Sequence, residues 1–249
     1  MSPFARFETI SLEDLSTQAA LLRRFDTKYI VPLSQLTNLY NALPATTKIL
    51  TIDGTNETSY VTDYYDSADL HTYTDHLKQR RKRFKIRTRY YGETSNGFLE
   101  IKIKMPRGQT QKIRWALDVH DVQNPLQEPH LSMLNEALSS VSYDRLTHSY
   151  KKTLETTFSR RTLFEPDSQE RITIDTHLEA TVGDSVINLG ATHAIVEIKS
   201  SSQVGHTHRI FTHLGIRPRS VSKYCVAMTA LHPELGGAPW KSALHLLTQ

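Results

Sequence analysis

Phe84-Lys85-Ile86-Arg87-Thr88-Arg89 and Leu99-Glu100-Ile101-Lys102-Ile103-Lys104 alternate charged residues with uncharged ones, position by position. Successive side chains on a strand leave opposite faces, so Lys85, Arg87 and Arg89 share one face, as do Glu100, Lys102 and Lys104. Two later stretches, Arg171-Ile172-Thr173-Ile174-Asp175 and Ile195-Val196-Glu197-Ile198-Lys199, repeat the pattern. A sheet face crowded with like charge loses stability unless an anion sits against it. The alternation therefore predicts a barrel with a charged inner wall, an apolar outer wall under helices, and a lumen suited to a polyanion.

The rest of the chain is compatible with that reading. Its 249 residues, 38% hydrophobic, with a mean hydropathy of -0.44, describe a globular protein able to bury a sizeable core. No apolar run approaches a membrane span. Met1-Ser2-Pro3-Phe4-Ala5-Arg6 leads into a polar helix start instead of an apolar signal segment, so a cytoplasmic location is expected. Cys225 is the single cysteine, which excludes an internal disulfide and a thiolate zinc site built from it alone. His206, His208 and His213 are the one histidine grouping, and their spacing fits no metal motif. A net charge of +4 is too mild to announce a nucleic-acid binder. Distribution matters more: between Lys78 and Arg114 the many cations meet only Glu93 and Glu100. Within that span Arg80-Arg81-Lys82-Arg83 breaks the period of two and reads as a rim that steers anions.

Ser11 is expected to cap a helix over 11–22, Arg24 to Val31 to form a strand, and Ser34 to cap a second helix ending before Pro44. Thr58 to Tyr65, Lys85 to Tyr91, Phe98 to Met105 and Gln111 to Val119 read as strands, the last three as an antiparallel meander. Leu131 to Val141 reads as a helix. Thr156 to Phe164 and Arg171 to Thr176 read as a hairpin around Glu165-Pro166-Asp167-Ser168, and Ala194 to Lys199 as a later strand. A helical tail runs over about 205–249. With no internal repeat or composition break, one α+β domain over 1–249 is expected.

Known nucleotide loops are absent: there is no Gly-x-x-x-x-Gly-Lys-Ser/Thr and no Gly-x-Gly-x-x-Gly. Anion binding must then come from side chains. Phosphoryl transfer suits such a site, because positioning and charge neutralisation supply most of the catalysis. Carboxylates on the same wall, Glu197 with Asp26 or Glu100, could hold Mg²⁺ or Mn²⁺.

Ordered along the chain, Arg24-Phe-Asp-Thr-Lys28-Tyr29, Tyr64-Tyr-Asp66, Arg83-Phe-Lys85-Ile-Arg87-Thr-Arg89-Tyr90, Glu100-Ile-Lys102, Lys112-Ile-Arg114, Arg171-Ile-Thr-Ile-Asp175, Glu197-Ile-Lys199 and Ser220-Val-Ser222-Lys223-Tyr224 resemble the motifs of the VTC domain. That is the polyphosphate polymerase domain of the vacuolar transporter chaperone complex, within the CYTH or triphosphate tunnel metalloenzyme superfamily. The resemblance implies an antiparallel β-barrel tunnel and transfer of the γ-phosphoryl of ATP onto polyphosphate, with Mn²⁺ preferred. By matching motif, Lys28, Arg87, Arg89, Lys102 and Lys199 are expected at the reacting phosphates, with Lys112, Arg171 and Lys223 as further phosphate ligands. Lys85, Lys104 and Arg114 join the substrate-binding set by strand phase, and Glu197 resembles the metal-binding glutamate. A family arginine in a Tyr-x-Arg-Thr segment has two candidate matches, at Lys152 and at Arg161, and Arg161 is preferred because it keeps an arginine on the strand that hairpins with Arg171. The superfamily's Glu-x-Glu-x-Lys strand is here Arg24-x-Asp26-x-Lys28; loss of the first carboxylate favours a polymerase over a triphosphatase. A triphosphatase in the same tunnel and a non-catalytic polyanion-binding module are the alternatives. ATP and polyphosphate are the expected partners, nucleic acid is not, and a membrane partner remains open.

Overall fold

In a computed structural model of the chain, the residues described are 4–18, 25–92, 96–105, 110–202 and 204–249. The expectations for Arg24, Glu93 and the last four residues of the first helix lie outside them. Elements in chain order are β1 (Glu8–Ile10), α1 (Leu12–Gln18), β2 (Phe25–Pro32), α2 (Leu36–Ala42), β3 (Lys48–Leu50), β4 (Thr58–Asp66), α3 (His71–Leu77), β5 (Arg83–Tyr91), β6 (Asn96–Lys104), β7 (Thr110–Asp118), α4 (His130–Ser139), β8 (Lys151–Glu165), β9 (Glu170–Val182), β10 (Ser185–Asn188), β11 (His193–Ser200), α5 (His206–His213), α6 (Lys223–Leu231) and α7 (Lys241–Leu247).

Eight strands form one continuous antiparallel ladder in the order β2-β11-β9-β8-β4-β5-β6-β7. The short β1, β3 and β10, which the sequence pattern does not announce, attach to its side, β1 pairing with β3 in parallel. The ladder curls. Lys102 on β6 lies within electrostatic reach of Lys28 and Asp26 on β2 and of Glu197 on β11, which a flat sheet of this order would hold far apart. The fold is the expected α+β tunnel, with one difference: backbone pairing among the described residues ends at β2 and at β7 and does not join them.

The outward phase of the strands is apolar and meets helices. Ile86, Leu99, Ile101 and Ile103 pack on Leu134, Ala137 and Leu138 of α4. Tyr29, Val31, Ile172, Ile174, Val196 and Ile198 pack under Leu36 and Leu39 of α2 and Phe211 of α5, where Tyr29 stacks on Phe211 at 4.1 Å. Each fully buried aliphatic side chain of this set contributes about 2 kcal/mol of transfer free energy.

The inward phase changes character along the axis. Near one end Ile30, Tyr64, Leu154, Phe158, Leu178, Ala180 and Ile195 point inward and pack against Tyr224 to Met228 of α6. On β9 the change is made by one extra residue. The β8 partners step from Ser159 opposite Thr176 to Thr157 opposite Glu179, and His177 in between takes a φ of 53°. This bulge keeps Leu178 and Ala180 in phase with Asp175 instead of Glu179.

One local expectation is corrected. Ser34 does not cap the second helix: a 3-10 turn over Leu33–Gln35 precedes α2, with no side-chain cap. Ser11 does act as expected, accepting the Asp14 N–H at 3.0 Å. No helix among the described residues is long and apolar enough to cross a membrane.

Candidate active site

The inward phase of the middle of the ladder is charged. Register fixes which residues face one another: Lys28 opposite Glu197, Asp26 opposite Lys199, Lys199 opposite Arg171, Arg160 opposite Asp175, Thr62 opposite Arg89, Arg87 opposite Glu100, Lys85 opposite Lys102 and Lys102 opposite Lys112. Arg114 and Lys104 continue the same face on β7 and β6. Lys223 reaches it from the first turn of α6. Apart from Arg161, every expected phosphate-binding residue is therefore brought to one concave wall.

Three carboxylates, Glu197, Glu100 and Asp175, hold half of these cations in place. Glu197 Oε1 lies 3.3 Å from Lys28 Nζ and 3.0 Å from Lys199 Nζ, and Lys199 Nζ is also 3.4 Å from Asp26 Oδ2. Glu100 accepts Arg87 through Nε at 2.7 Å and Nη2 at 2.6 Å on one oxygen, and Lys112 at 2.6 Å on the other. Asp175 takes Arg160 in a bidentate pair at 2.6 and 2.8 Å and also accepts Lys223. Burial alone would raise these acids. The cations overrule it, holding Glu100 and Asp175 at about 2 and Glu197 well below the usual carboxylate range.

Arg89, Arg114 and Lys102 make no close carboxylate ion pair among the described residues. Arg89 donates to Thr62 Oγ1 at 3.2 Å, Arg114 stacks over Phe98 at 4.5 Å, and Lys102 has only like charges and distant acids around it. Lys102 is exposed to the open lumen, yet the surrounding wall strips enough water from its ammonium that, with Lys28 and Arg87 beside it, it is lowered to about 7; Arg89 is buried, and burial with Arg87 and Arg160 lowers it to about 10. Cations held together at such cost favour a polyanion between them.

Arg161 is a correction. It shares its phase with Ile174 on the outer wall, pairs with Glu57 at 2.6 Å and lies over Phe4 at 4.5 Å. Its neighbour Arg160 occupies the lumen, and the register of the hairpin was the signal: Asp175 shares a face with Arg171, so its cross-strand partner lines the same wall. Lys152, the other candidate, is also off the wall, tied to Asp63 at 2.8 Å and Glu155 at 2.7 Å. Asp175 has no role among the sequence-based expectations, although its motif was visible.

The three expected metal ligands are not gathered. Among the described residues, no three His, Cys, Asp or Glu side chains converge as a metal site. Glu100 has both oxygens occupied by cations. Glu197 and Asp26, which meet at Lys199 Nζ, remain as a carboxylate pair. Two hard oxygen donors do not make an all-protein cage, but they fit a divalent ion whose other ligands are phosphate oxygens. The histidines play local roles: His208 Nδ1 accepts the Gly205 N–H at 3.2 Å, and His213 Nδ1 lies 2.8 Å from the Arg209 carbonyl.

The sequence model of the VTC domain matches residues 23–232. No curated protein matches the chain. Among solved structures, the chain is similar to HpAC1 of Hippeastrum, a proposed adenylyl cyclase described as having a dominant triphosphatase activity: 13% identity over 84% of this chain and 96% of that one, with a TM-score of 0.53. A proposed adenylate cyclase of Bacillus halodurans follows at 14% identity, covering 79% of this chain and 92% of that one, with a TM-score of 0.49. At 13% identity the likeness to the Hippeastrum protein is one of fold.

Proposed function

The chain belongs to the VTC domain family, and from that premise we propose that it is a polyphosphate polymerase that moves the γ-phosphoryl group of ATP onto the end of a polyphosphate chain. A terminal phosphate oxygen of the chain attacks the γ-phosphorus, the bond from γ-phosphorus to the β,γ-bridging oxygen breaks, and ADP leaves with that electron pair. Arg87, Arg89, Arg160, Lys28, Lys102 and Lys199 hold the phosphates in line and offset their charge. Glu197, with Asp26, is the place for Mn²⁺ or Mg²⁺, which when bound would neutralise phosphate charge alongside them.

One observation carries the choice of acceptor. Glu100, Asp175 and Glu197 are each engaged by cations and held far below the carboxylate range, so none is a base matched to deprotonating water near neutral pH. A phosphate terminus needs no base, because it is already an anion. Lys102 does not fill that gap, since bound phosphate favours its charged form.

A second reading, hydrolysis of triphosphates, draws on the activity described for the Hippeastrum protein. Incubation with ATP and Mn²⁺, with and without a short polyphosphate primer, separates the two. Ladders of growing chains matched by ADP release are expected. Orthophosphate without ladders would replace the polymerase with the triphosphatase.

A further inference from the structure

Both ends of the charged band are occupied by the protein's own chain. At one end α6 is tied to three walls: Lys223 to Asp175 on β9, Tyr224 Oη to Asp66 Oδ2 at the end of β4 at 2.6 Å, and Ser222 Oγ to Lys85 Nζ on β5 at 2.9 Å. At the other end Phe164, in the inward phase of β8, packs with Ile10 and with Leu15 of α1.

The flank between β7 and β2 is different. Both strands are described throughout, and among the described residues the ladder stops at each. On β7 the inward Lys112 and Arg114 are exposed, the Lys112 side chain by 37%, whereas Asp175 deep in the wall is 3% exposed. The opposite lip is β2, where the Lys28 carbonyl accepts the Arg219 N–H at 2.8 Å from the segment leading into α6. Arg217 and Arg219 are exposed on that segment. The curled wall thus has a lateral seam with cations on both lips.

We propose that long polyphosphate enters the lumen sideways through the seam between β7 and β2, so that an internal stretch of the chain reaches the cationic wall without an end being threaded, and the terminus then slides along that wall to the reacting position. This rests on the reading that the lumen binds polyphosphate. Polyphosphate is a uniform anion along its length, so any stretch of it complements the lips equally well. Threading, by contrast, would require one of two ends to find a mouth and pass the tied α6 or the packed α1. Sideways entry also lets a finished chain leave at any length.

The test compares polyphosphate of one length with free ends and with both ends biotinylated and capped by streptavidin, each displacing fluorescently labelled tripolyphosphate from the wild-type protein. Displacement by the capped chain within about threefold of the free-ended chain is expected. A capped chain weaker by about tenfold or more, with the free-ended chain still competing, overturns the seam and leaves the lumen reading intact. Failure of tripolyphosphate itself to bind would overturn the lumen reading, and the seam with it.

Discussion

Arg160 and Arg161 are adjacent in sequence and sit on opposite sides of a wall. Arg160 is bidentate on Asp175 in the lumen, and Arg161 is paired with Glu57 outside it. Replacing Arg160 with lysine keeps a cation for Asp175 but loses the planar fork. Steady-state kinetics should show R160K losing about tenfold or more in kcat/KM, roughly 1.4 kcal/mol, with R161K near wild type. Wild-type kinetics in R160K would place Arg160 outside the chemistry, and a loss in R161K as large as that in R160K would show that the two walls do not separate their roles. Lys102 sets a pH dependence. Its charge in the free protein is lost as pH rises through about 7, while a bound polyphosphate favours the charged form, so binding takes up a proton. Tripolyphosphate affinity should fall as pH rises above about 7, and K102R should flatten that fall. Calorimetry in buffers of different ionisation enthalpy reads the proton directly. At this scale the alternation of Lys85, Arg87 and Arg89 was fully legible. The choice between two neighbouring arginines was not, because it depends on a cross-strand partner 15 positions away.

The elements were legible where period two or a helical stripe was unbroken, as in β5, β6 and α4. They were obscured where length depended on tertiary pairing: β8 and β9 extend well past the stretches that alternate cleanly, because α6 buries the remainder of their inward face. β1, β3 and β10 span only 3 or 4 residues each, too few for a period to show. The β5-β6-β7 meander also carries a stability device. The Glu100 carboxyl is 2% exposed and joins Arg87 on β5 to Lys112 on β7. Its folded pKa is depressed from 4.5 to about 2, so its contribution is present above the ordinary carboxylate value and is lost as pH falls toward 2. That contribution is on the order of 3 kcal/mol. Urea unfolding should show wild type losing stability between about pH 5 and pH 2 more steeply than E100Q. Parallel curves would assign the acid sensitivity elsewhere.

Across the whole molecule, the charged wall means that the fold is strained by its own cations until an anion arrives. Tripolyphosphate at about 100 times its Kd should stabilise the protein by about 2.7 kcal/mol. The accompanying rise in Tm should shrink as salt screens the wall. A salt-independent rise would point to binding elsewhere. Curvature was legible from the pile-up of like charge, but the seam was not: whether the first and last strands of a ladder meet depends on tilt and stagger summed over every strand between them. One residue on that ladder shows how finely the sum is kept. His177 is like a silent letter in β9: the strand spells charge before it and hydrocarbon after it, and the message survives because the letter is skipped. Dropping it would leave Leu178 and Ala180 still in step with Asp175. A valine there, which resists a φ of 53°, would press the strand to pronounce it and turn Glu179 toward α6. Thermal melts should find the deletion milder than the misspelling.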